Sequence, residues 1–446
     1  MSSQPRALVI GGSVGGLFAA HMLRSIGWDV VVFERSGDNL VRRGAGIGAS
    51  GALFAVMQRI GVPFDASNGI AVMSRVWLES NGNIAAEVPT NGGFATAWAH
   101  LYQALKDALP EECCCFNRTL VRVEERADGV TAIFADGSSA SGSLLIAADG
   151  IDSTVRRQLL PEIVPRYAGY VCWRGVVEEA DTPLSVQLRL FNRVAFCFPA
   201  GELFLGIPNP GINHNILPGR RRYYFCWYRP VDYQSTLQDL CTDATGKRHG
   251  VAIPPPLIRH EFIRELKATA ETVLPPEMAS VVARTEQPLL QAIFDLESPQ
   301  LVFGRVAILG DAAFVARPHV VAGTTKAALD AQCLADSLAA AGNDVESALA
   351  HYDVERRQFG RSLVARARHL GAYLEAHRTQ HEEERRQTRL TRDLVSFMRD
   401  YGAEDLIGNN VRASPIAQHQ LSVSANGDGP VTRVNLKIAK ALELGH

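Results

Sequence analysis

Paired cysteine spacings are missing from this sequence. Its 446 residues include eight cysteines, three of them consecutive at Cys113, Cys114 and Cys115, but no C-x-x-C pair. Structural zinc sites and redox-active disulfides use such pairs, so the spacing argues against a metal centre and against disulfide reductase chemistry. We expect no bound metal, and thiols that are buried as small apolar groups.

An excess of one charge and long apolar runs are missing as well. Lys and Arg number 45 against 47 Asp and Glu, a net charge of −2, so no electrostatic basis exists for binding nucleic acid or an anionic membrane. The sequence contains no run of about 18 apolar residues, the length that would span a bilayer. Residues 1–6 lead directly into the first predicted strand and leave no room for a signal peptide. We therefore expect a cytoplasmic protein of two or three packed domains.

The amino-terminal region carries a dinucleotide-binding pattern. An apolar run ends at Ile10, and Gly11-Gly12-Ser13-Val14-Gly15-Gly16 follows it; the next apolar run ends at Glu34-Arg35. A strand, turn, helix and strand in this order bring backbone N–H groups to a pyrophosphate and an acid to a ribose hydroxyl. Ser13 stands where a glycine is usual, and its hydroxyl can donate a hydrogen bond to phosphate. A tight turn without a ligand is the alternative.

Two further turns follow apolar runs later in the chain. Asp149-Gly150 comes after the run 144–148, and Gly310-Asp311 comes after the run 306–309. Gly310-Asp311 is followed by Pro318 and by Gly323-Thr324-Thr325 at the start of a helical pattern. A carboxylate accepts hydrogen bonds from ligand hydroxyls, and free N–H groups at a helix start face negative charge. These features predict a polyhydroxylated ligand with an anionic group.

Together, the three turns resemble those of the flavoprotein hydroxylases, the family that includes p-hydroxybenzoate hydroxylase. The resemblance covers residues 5 to about 375. It implies that the first turn holds the ADP part of non-covalently bound FAD, that Asp149 lies near the pyrophosphate and the nicotinamide, and that Asp311 holds the ribitol. The implied FAD contacts are Gly11, Ser13, Gly16, Glu34, Arg35, Gln103, Leu120, Asp149, Asp311, Pro318, Gly323, Thr324 and Thr325.

Other segments resemble the branch of this family that hydroxylates 2,6-dihydroxypyridine. They are Gly11-Gly12-Ser13, the segment 167–175, and Arg317-Pro318-His319. Most family members have histidine in place of Phe314 and glycine in place of Val320, and many have arginine in place of Trp98. These departures affect the loop beside the flavin ring and part of the pyrophosphate contact.

The resemblance implies a single-component FAD-dependent monooxygenase that uses NADH or NADPH and dioxygen. It implies hydroxylation of a small electron-rich aromatic substrate, a hydroxypyridine by our hypothesis, through a flavin C4a-hydroperoxide. We predict His319 as the catalytic residue, because an imidazole can hydrogen-bond a ring hydroxyl or remove its proton; a packing role is the alternative. Arg317 pairs with substrate or pyrophosphate, or lies in solvent. For Arg174 we favour a structural pairing at a domain junction over a functional role.

Three other functions remain as alternatives at this point. A related monooxygenase could act on a phenolic or larger polycyclic substrate. A flavin halogenase would share the fold, but its Trp-x-Trp-x-Ile-Pro signature is missing. A non-catalytic flavin-fold protein would bind an aromatic without oxidising NAD(P)H.

The predicted fold is α/β (α+β), with a Rossmann-like FAD-binding domain, an inserted antiparallel substrate sheet and carboxy-terminal helices. Residues 1–70, 97–160 and 300–376 are assigned to the FAD domain, and 71–96 and 166–299 to the substrate domain. Residues 377–446 are predicted as a charged helix from Glu382 and a polar arm over 408–432, for which a homodimer contact and a frayed tail are open alternatives.

Overall fold

A computed structural model describes residues 4–37, 46–90, 93–126, 129–342, 344–375 and 394–413, and all structural statements concern these residues. The strands are β1 (Arg6–Ile10), β2 (Asp29–Phe33), β3 (Gly46–Ala49), β4 (Ile70–Ala71), β5 (Ser74–Leu78), β6 (Ile84–Pro89), β7 (Phe94–Ala97), β8 (Cys114–Cys115), β9 (Leu120–Arg126), β10 (Gly129–Phe134), β11 (Ser139–Gly142), β12 (Leu144–Ala147), β13 (Arg166–Glu178), β14 (Arg193–Cys197), β15 (Leu203–Asn209), β16 (Arg222–Pro230), β17 (Leu289–Glu297), β18 (Val302–Phe303), β19 (Val306–Ile308) and β20 (Phe314–Val315).

The helices are α1 (Val14–Ser25), α2 (Gly51–Arg59), α3 (Trp98–Asp107), α4 (Thr154–Leu159), α5 (Leu184–Leu190), α6 (Thr236–Leu240), α7 (His260–Val273), α8 (Pro276–Arg284), α9 (Gly323–Ala341), α10 (Val345–Glu375), α11 (Leu394–Asp400) and α12 (Glu404–Ala413). The chain divides into two compact units, Met1–Ala403 and Glu404–His446. The described part of the second unit is α12. This helix continues past Gly408, where the polar arm was predicted to begin. Glu404 and Asp405 in its first turn interact favourably with the helix dipole at its start.

A six-stranded sheet forms around the amino-terminal turn, in the order β18-β19-β12-β1-β2-β8. Its pairs are parallel except for the antiparallel edge pair of β18 and β19. The central strands β1, β12 and β19 are almost wholly buried and apolar, as parallel strands covered on both faces are. Parallel strands end at one edge, so the turns after β1, β2, β12 and β19 meet there.

A second, eight-stranded sheet has the order β20-β17-β13-β16-β15-β14-β5-β6. It is antiparallel except where β14 pairs with β5. Alternate side chains of β13 and β16, such as Trp173, Phe225 and Trp227, enter an apolar core that α7 and α8 complete. The face of the eight-stranded sheet that points away from α7 and α8 is therefore not part of this apolar core.

Smaller elements connect these sheets. Strands β9, β10 and β11 form one antiparallel sheet, and β3, β7 and β4 form another. Helix α1 packs on β1 and β2 and against α9, which packs against α10. The predicted α/β class with an antiparallel sheet and carboxy-terminal helices is confirmed. The division into an FAD domain and a substrate domain stays a prediction, and the charged helix at Glu382 lies outside the described residues.

Candidate active site

A cleft of about 340 Å³ opens at the edge where the parallel strands end. We call it the carboxyl-edge cleft. It is lined by Ile10, Gly11, Ser13, Phe33, Glu34, Arg35, Trp98, Arg118, Thr119, Leu120, Ala148, Asp149, Gly150, Ile151, Asp152, Thr154 and Asp311. The three turns singled out in the sequence therefore meet at one site.

The glycines of the first turn are required by close backbone contacts. Gly11 has φ of +105°, and a Cβ there would lie 2.3 Å from the carbonyl oxygen of Ala148. A Cβ at Gly16 would lie 1.8 Å from the carbonyl oxygen of Gly11. Ser13 is the N-cap of α1 but makes no capping hydrogen bond through its side chain. Its hydroxyl is therefore available to a ligand in the cleft.

Four carboxylates line the cleft, and three of them, Glu34, Asp149 and Asp311, have different surroundings. Glu34 is held in place, because its Oε2 accepts from the Gly12 N–H at 2.7 Å and its Oε1 accepts from the Ser36 N–H at 2.9 Å. The Oδ2 of Asp149 accepts from the Thr154 N–H at 2.8 Å, whereas its buried Oδ1 has no partner. Burial raises the pKa of Asp149. Asp311 exposes its side chain to the cleft.

A buried ionic network positions the Gly310-Asp311 turn. The Oδ2 of Asp330 accepts from the Gly310 N–H at 3.0 Å, and Lys326 Nζ donates to the Gly310 carbonyl at 2.6 Å. Arg356 Nε donates to Asp330 Oδ1 at 2.8 Å. Burial pushes the pKa of Asp330 upward, but the two cations outweigh it and hold that pKa below its ordinary value. The sequence reasoning missed this network; its one local signal is the four-residue spacing of Lys326 and Asp330.

Seven of the predicted cofactor residues line the cleft: Gly11, Ser13, Glu34, Arg35, Leu120, Asp149 and Asp311. Gly16 packs beneath the turn, and the Gln103 amide donates to Asp107 at 2.6 Å. Gly323, Thr324 and Thr325 form the first turn of α9, next to the Gly310-Asp311 turn. Pro318 lies in a 3₁₀ turn before that helix. Other lining residues, Arg118, Thr119 and Asp152 among them, were not predicted, because they carry no pattern of their own.

His319 lies among aromatic side chains contributed by distant segments. It is fully buried, and its Nε2 shares a hydrogen bond of 2.8 Å with the Tyr170 hydroxyl. Its ring centroid is 4.7 Å from that of Tyr228 and 6.1 Å from that of Tyr401. The Gly402 N–H donates to the His319 carbonyl at 3.0 Å. The three tyrosines were not predicted, because only the tertiary structure brings them to the loop.

The two arginines singled out in the sequence differ in their surroundings. Arg317 is buried, so the solvent-exposed alternative is wrong, and its Nε donates to Asp295 Oδ2 at 2.9 Å. A further arginine, Arg368, donates to Asp295 Oδ1 at 2.8 Å. Arg174 has no ion pair with any carboxylate in the described ranges, and its neighbours there are Cys172, Cys226 and Tyr228.

The residues that depart from the family pattern fill apolar space. Phe314 and Val320 are both 2% exposed, and the Phe314 ring leaves no room for a Cβ at Gly360 on α10. Val321 follows with φ of +50°, a left-handed conformation that is rare for a β-branched residue. A Cβ at Gly48 would lie 2.7 Å from Val321 Cγ1, so this loop closely approaches β3.

The carboxyl-edge cleft fits a dinucleotide of the FAD type. The glycine turn allows close approach to a pyrophosphate, and Glu34 at the end of β2 can accept from a ribose hydroxyl. The unpartnered Oδ1 of Asp149 and the uncapped Ser13 hydroxyl supply further polar contacts. Asp311 lies where an additional hydroxylated segment could bind.

Comparisons with known proteins agree with this geometry. The chain is 30% identical over 371 residues to 2,6-dihydroxypyridine 3-monooxygenase of Paenarthrobacter nicotinovorans, which covers 83% of this chain and 91% of the relative. The chain belongs to the FAD-dependent aromatic monooxygenases. It is therefore an oxidoreductase that uses FAD, and the alternative of a non-catalytic binding protein is set aside.

Further matches extend the same relationship. An FAD-dependent urate hydroxylase of Klebsiella pneumoniae is 30% identical over 392 residues, covering 81% of this monooxygenase and 88% of the relative. The solved structure of 2,6-dihydroxypyridine-3-hydroxylase from Arthrobacter nicotinovorans matches with a TM-score of 0.77 and 28% identity, covering 83% of this chain and 93% of that one. A family model described as FAD binding domain-like matches residues 167–295. In the part of the chain that is described, none of the helices has the length and apolarity needed to cross a membrane.

Proposed function

We propose that this monooxygenase hydroxylates a small hydroxylated N-heteroaromatic ring, a hydroxypyridine, with dioxygen and NADH or NADPH. The observation that carries the proposal is the 30% identity to 2,6-dihydroxypyridine 3-monooxygenase over 83% of the chain. The 25% identity to 6-hydroxynicotinate 3-monooxygenase of Pseudomonas fluorescens, over 399 residues, supports the same substrate class. Both named substrates are pyridines that carry a ring hydroxyl.

We assign non-covalent FAD binding to the predicted residues that line the carboxyl-edge cleft and to the first turn of α9. Gly11 and Ser13 face the pyrophosphate, Glu34 the adenosine ribose and Asp311 the ribitol. The free N–H groups at Gly323, Thr324 and Thr325 favour negative charge on the isoalloxazine ring. When bound, FAD supplies the redox chemistry that reduces dioxygen and transfers one oxygen atom to the substrate.

His319 is proposed as the titratable group that acts on the substrate hydroxyl. Its ring is fully buried and its Nε2 is bonded to Tyr170, so in this arrangement it acts through the Tyr170 hydroxyl. Tyr228 and Tyr401, which are nearly fully buried beside it, exclude water from the histidine. These residues can hold a proton near the substrate hydroxyl and orient the ring.

We propose that NAD(P)H binds only transiently. The dinucleotide turn at Gly11 is assigned to FAD, and no comparable turn between parallel strands is described elsewhere in the structured ranges. The glycine spacing recurs from Gly46 to Gly51, but there it forms β3, which pairs antiparallel with β7. A glycine-rich strand of this kind does not present a pyrophosphate site.

The test is a product assay with the purified yellow protein. It is incubated with NADH or NADPH, air and, separately, 2,6-dihydroxypyridine, 6-hydroxynicotinate, salicylate and 4-hydroxybenzoate. We expect hydroxylated product, detected by mass spectrometry, and accelerated NAD(P)H oxidation with a hydroxypyridine. Well-coupled hydroxylation of the benzoates and none of the pyridines would show that the substrate class is wrong. Omission of enzyme, and replacement of air by argon, are the controls.

A further inference from the structure

Arg174 lies on the face of the eight-stranded sheet that is opposite to its apolar core. Trp173 belongs to the core, so by strand alternation Cys172 and Arg174 point to the other face. The register of β13 with β16 pairs Arg174 with Cys226 and Cys172 with Tyr228. We call these four non-core residues, Arg174, Cys172, Cys226 and Tyr228, the Arg174 patch.

The Arg174 patch extends from the candidate active site to an accessible region. Tyr228 contacts the His319 loop, with ring centroids 4.7 Å apart. Tyr228 and Cys172 are buried, whereas Arg174 and Cys226 are half-buried. Along one strand, same-face side chains are about 7 Å apart, so the long Arg174 side chain reaches the space beside Tyr228. A ring bound near His319 therefore lies within range of the guanidinium.

The surroundings of Arg174 differ from those of four arginines that are buried elsewhere. Arg221, Arg317 and Arg356 donate to the carboxylates of Glu179, Asp295 and Asp330 respectively, and Arg156 donates to the backbone carbonyls of Ala312 and Ile151. No carboxylate in the described ranges lies within ion-pair distance of Arg174, and its Nε has neither solvent contact nor an acceptor. The neighbouring groups are two thiols and a phenol, which accept weakly. A guanidinium held in this way favours a ligand that supplies an anionic oxygen.

Cys226 is the one group within the patch that can compete for this charge. A hydrogen bond with Cys172 lowers the pKa of Cys226, burial opposes the shift, and the Arg174 guanidinium adds to the lowering. As a thiolate, Cys226 would neutralise Arg174 before a ligand arrived. A test of Arg174 therefore requires a Cys226 variant.

We infer that Arg174 is the anion-binding residue of the substrate pocket and binds an ionised oxygen of the hydroxypyridine. This inference rests on the proposed function. A guanidinium beside a ring hydroxyl favours the ionised form of that hydroxyl. The negative charge of the ionised oxygen is delocalised into the ring and makes the ring carbons more nucleophilic. The pocket thereby selects, among hydroxypyridines, the anion that an electrophilic oxygen attacks.

The experiment measures ligand dissociation constants of the FAD-loaded protein without NAD(P)H, from changes in flavin absorbance. The ligands are 2,6-dihydroxypyridine, which ionises, 6-hydroxynicotinate, whose carboxylate is ionised throughout, and 2-hydroxypyridine, which stays neutral as its pyridone. Each is titrated between pH 5 and 9. The variants are Arg174→Met, Arg174→Lys, Cys226→Ala and Arg166→Met, the last removing an exposed arginine from the same strand.

We expect Arg174→Met to weaken binding of the 2,6-dihydroxypyridine anion by about tenfold to a hundredfold and to remove the pH dependence of its Kd. Arg174→Lys should restore part of the affinity, and 2-hydroxypyridine binding should change by less than about twofold, since no charged hydrogen bond is lost. If Arg174→Met weakened the binding of 6-hydroxynicotinate but not that of 2,6-dihydroxypyridine, the oxygen bound by Arg174 would belong to a carboxylate. That result would overturn the assignment to a ring oxygen. Arg166→Met and Cys226→Ala should bind the anion at least as well as the wild type.

Contrary results separate the inference from the proposed function. Wild-type protein that binds and hydroxylates hydroxypyridines, together with Arg174→Met of unchanged anion affinity, overturns the inference alone. The same conclusion follows if Cys226→Ala weakens anion binding as strongly as Arg174→Met does, because the role of Arg174 would then be to interact with the Cys226 thiol. Wild-type protein that binds no hydroxypyridine at any pH overturns the proposed function and the inference with it. The flavin spectrum and FAD content of each variant report whether it has folded.

Discussion

The carboxyl-edge cleft and the Arg174 patch, the two regions to which we assign ligand contacts, are built in different ways. In the cleft, the contacts that matter are between neighbours along the chain or between adjacent parallel strands, as for Gly11 against Ala148. The patch joins β13 to β16 and adjoins the His319 loop, which is distant in sequence: Tyr170 on β13 and His319 share a hydrogen bond across about 150 positions. The cleft is therefore visible in short motifs, whereas the patch is not.

The two regions also treat charge differently. In the support of the cleft, Asp330 is matched with Lys326 and Arg356, and all three are nearly fully buried. In the patch, Arg174 has no carboxylate partner among the residues described. A satisfied network rigidifies a common cofactor site, while an unsatisfied cation leaves a contact for the substrate to make. Substitutions in the cleft and its support should therefore lower stability or FAD content, whereas substitutions on the substrate side should lower ligand binding or product formation.

The largest effect is expected for Asp330→Asn. It leaves Lys326 and Arg356 buried without a carboxylate, which costs about 3–5 kcal/mol of unfolding free energy. Because the folded pKa of Asp330 is lowered, its stabilisation is present above the unfolded value, about pH 4, and is lost as the pH falls through the folded pKa. Urea unfolding should show a large gap between wild type and variant at pH 7 that narrows below about pH 4. Asp336→Asn, on the same helix, removes the partner of Arg59, whose own side chain is one-third exposed, and should cost about 1 kcal/mol. Equal costs for the two variants would contradict the role given to the buried network.

Gly11→Ala should have the next largest effect. The added Cβ meets the Ala148 carbonyl and takes an unfavourable φ, for a cost of about 2–4 kcal/mol. We expect a largely colourless protein or one with a lowered Tm. Gly51→Ala is the matched control, since a Cβ there meets nothing within 4 Å. Full FAD content and an unchanged Tm in Gly11→Ala would show that the turn tolerates a side chain.

Tyr170→Phe tests the substrate side without altering the cleft. It removes the hydroxyl that bonds His319 Nε2, so we expect product formation to fall by about tenfold, the equivalent of one lost hydrogen bond of roughly 1.4 kcal/mol. FAD content should stay at the wild-type level. Tyr167→Phe, on the same strand, removes a bond to the Val231 carbonyl and should leave turnover unchanged. A parallel loss of FAD in Tyr170→Phe would assign the tyrosine to cofactor binding or folding.

The smallest effect is expected at Val321, in the loop between His319 and α9. Asparagine tolerates the left-handed conformation better than a β-branched residue, so Val321→Asn should raise the unfolding free energy by about 0.5–1 kcal/mol. Thermal unfolding should detect a rise of a few degrees at most. Val354→Asn, an exposed position within α10, should not stabilise the protein. A lower Tm for Val321→Asn would mean that the valine packs favourably enough to outweigh its backbone strain.

The amino-acid sequence by itself determined the α/β class, the glycine turn after β1 and seven of the residues that line the cleft. Those features follow from local sterics and strand order: a glycine is required wherever a Cβ would strike a backbone atom, and parallel strands end at one edge. The 30% identity to a dihydroxypyridine monooxygenase agrees with the family expected from those motifs.

Only the tertiary structure decided how the remaining polar residues are used. Arg317 and Arg174 look alike in the sequence, yet Arg317 is paired with Asp295 and Arg174 has no such partner in the described residues. Tyr170, Tyr228 and Tyr401 become neighbours of His319 through the pairing of β13 with β16 and through the chain after α11. Burial and charge pairing depend on which distant strands become adjacent, and no local pattern encodes that choice.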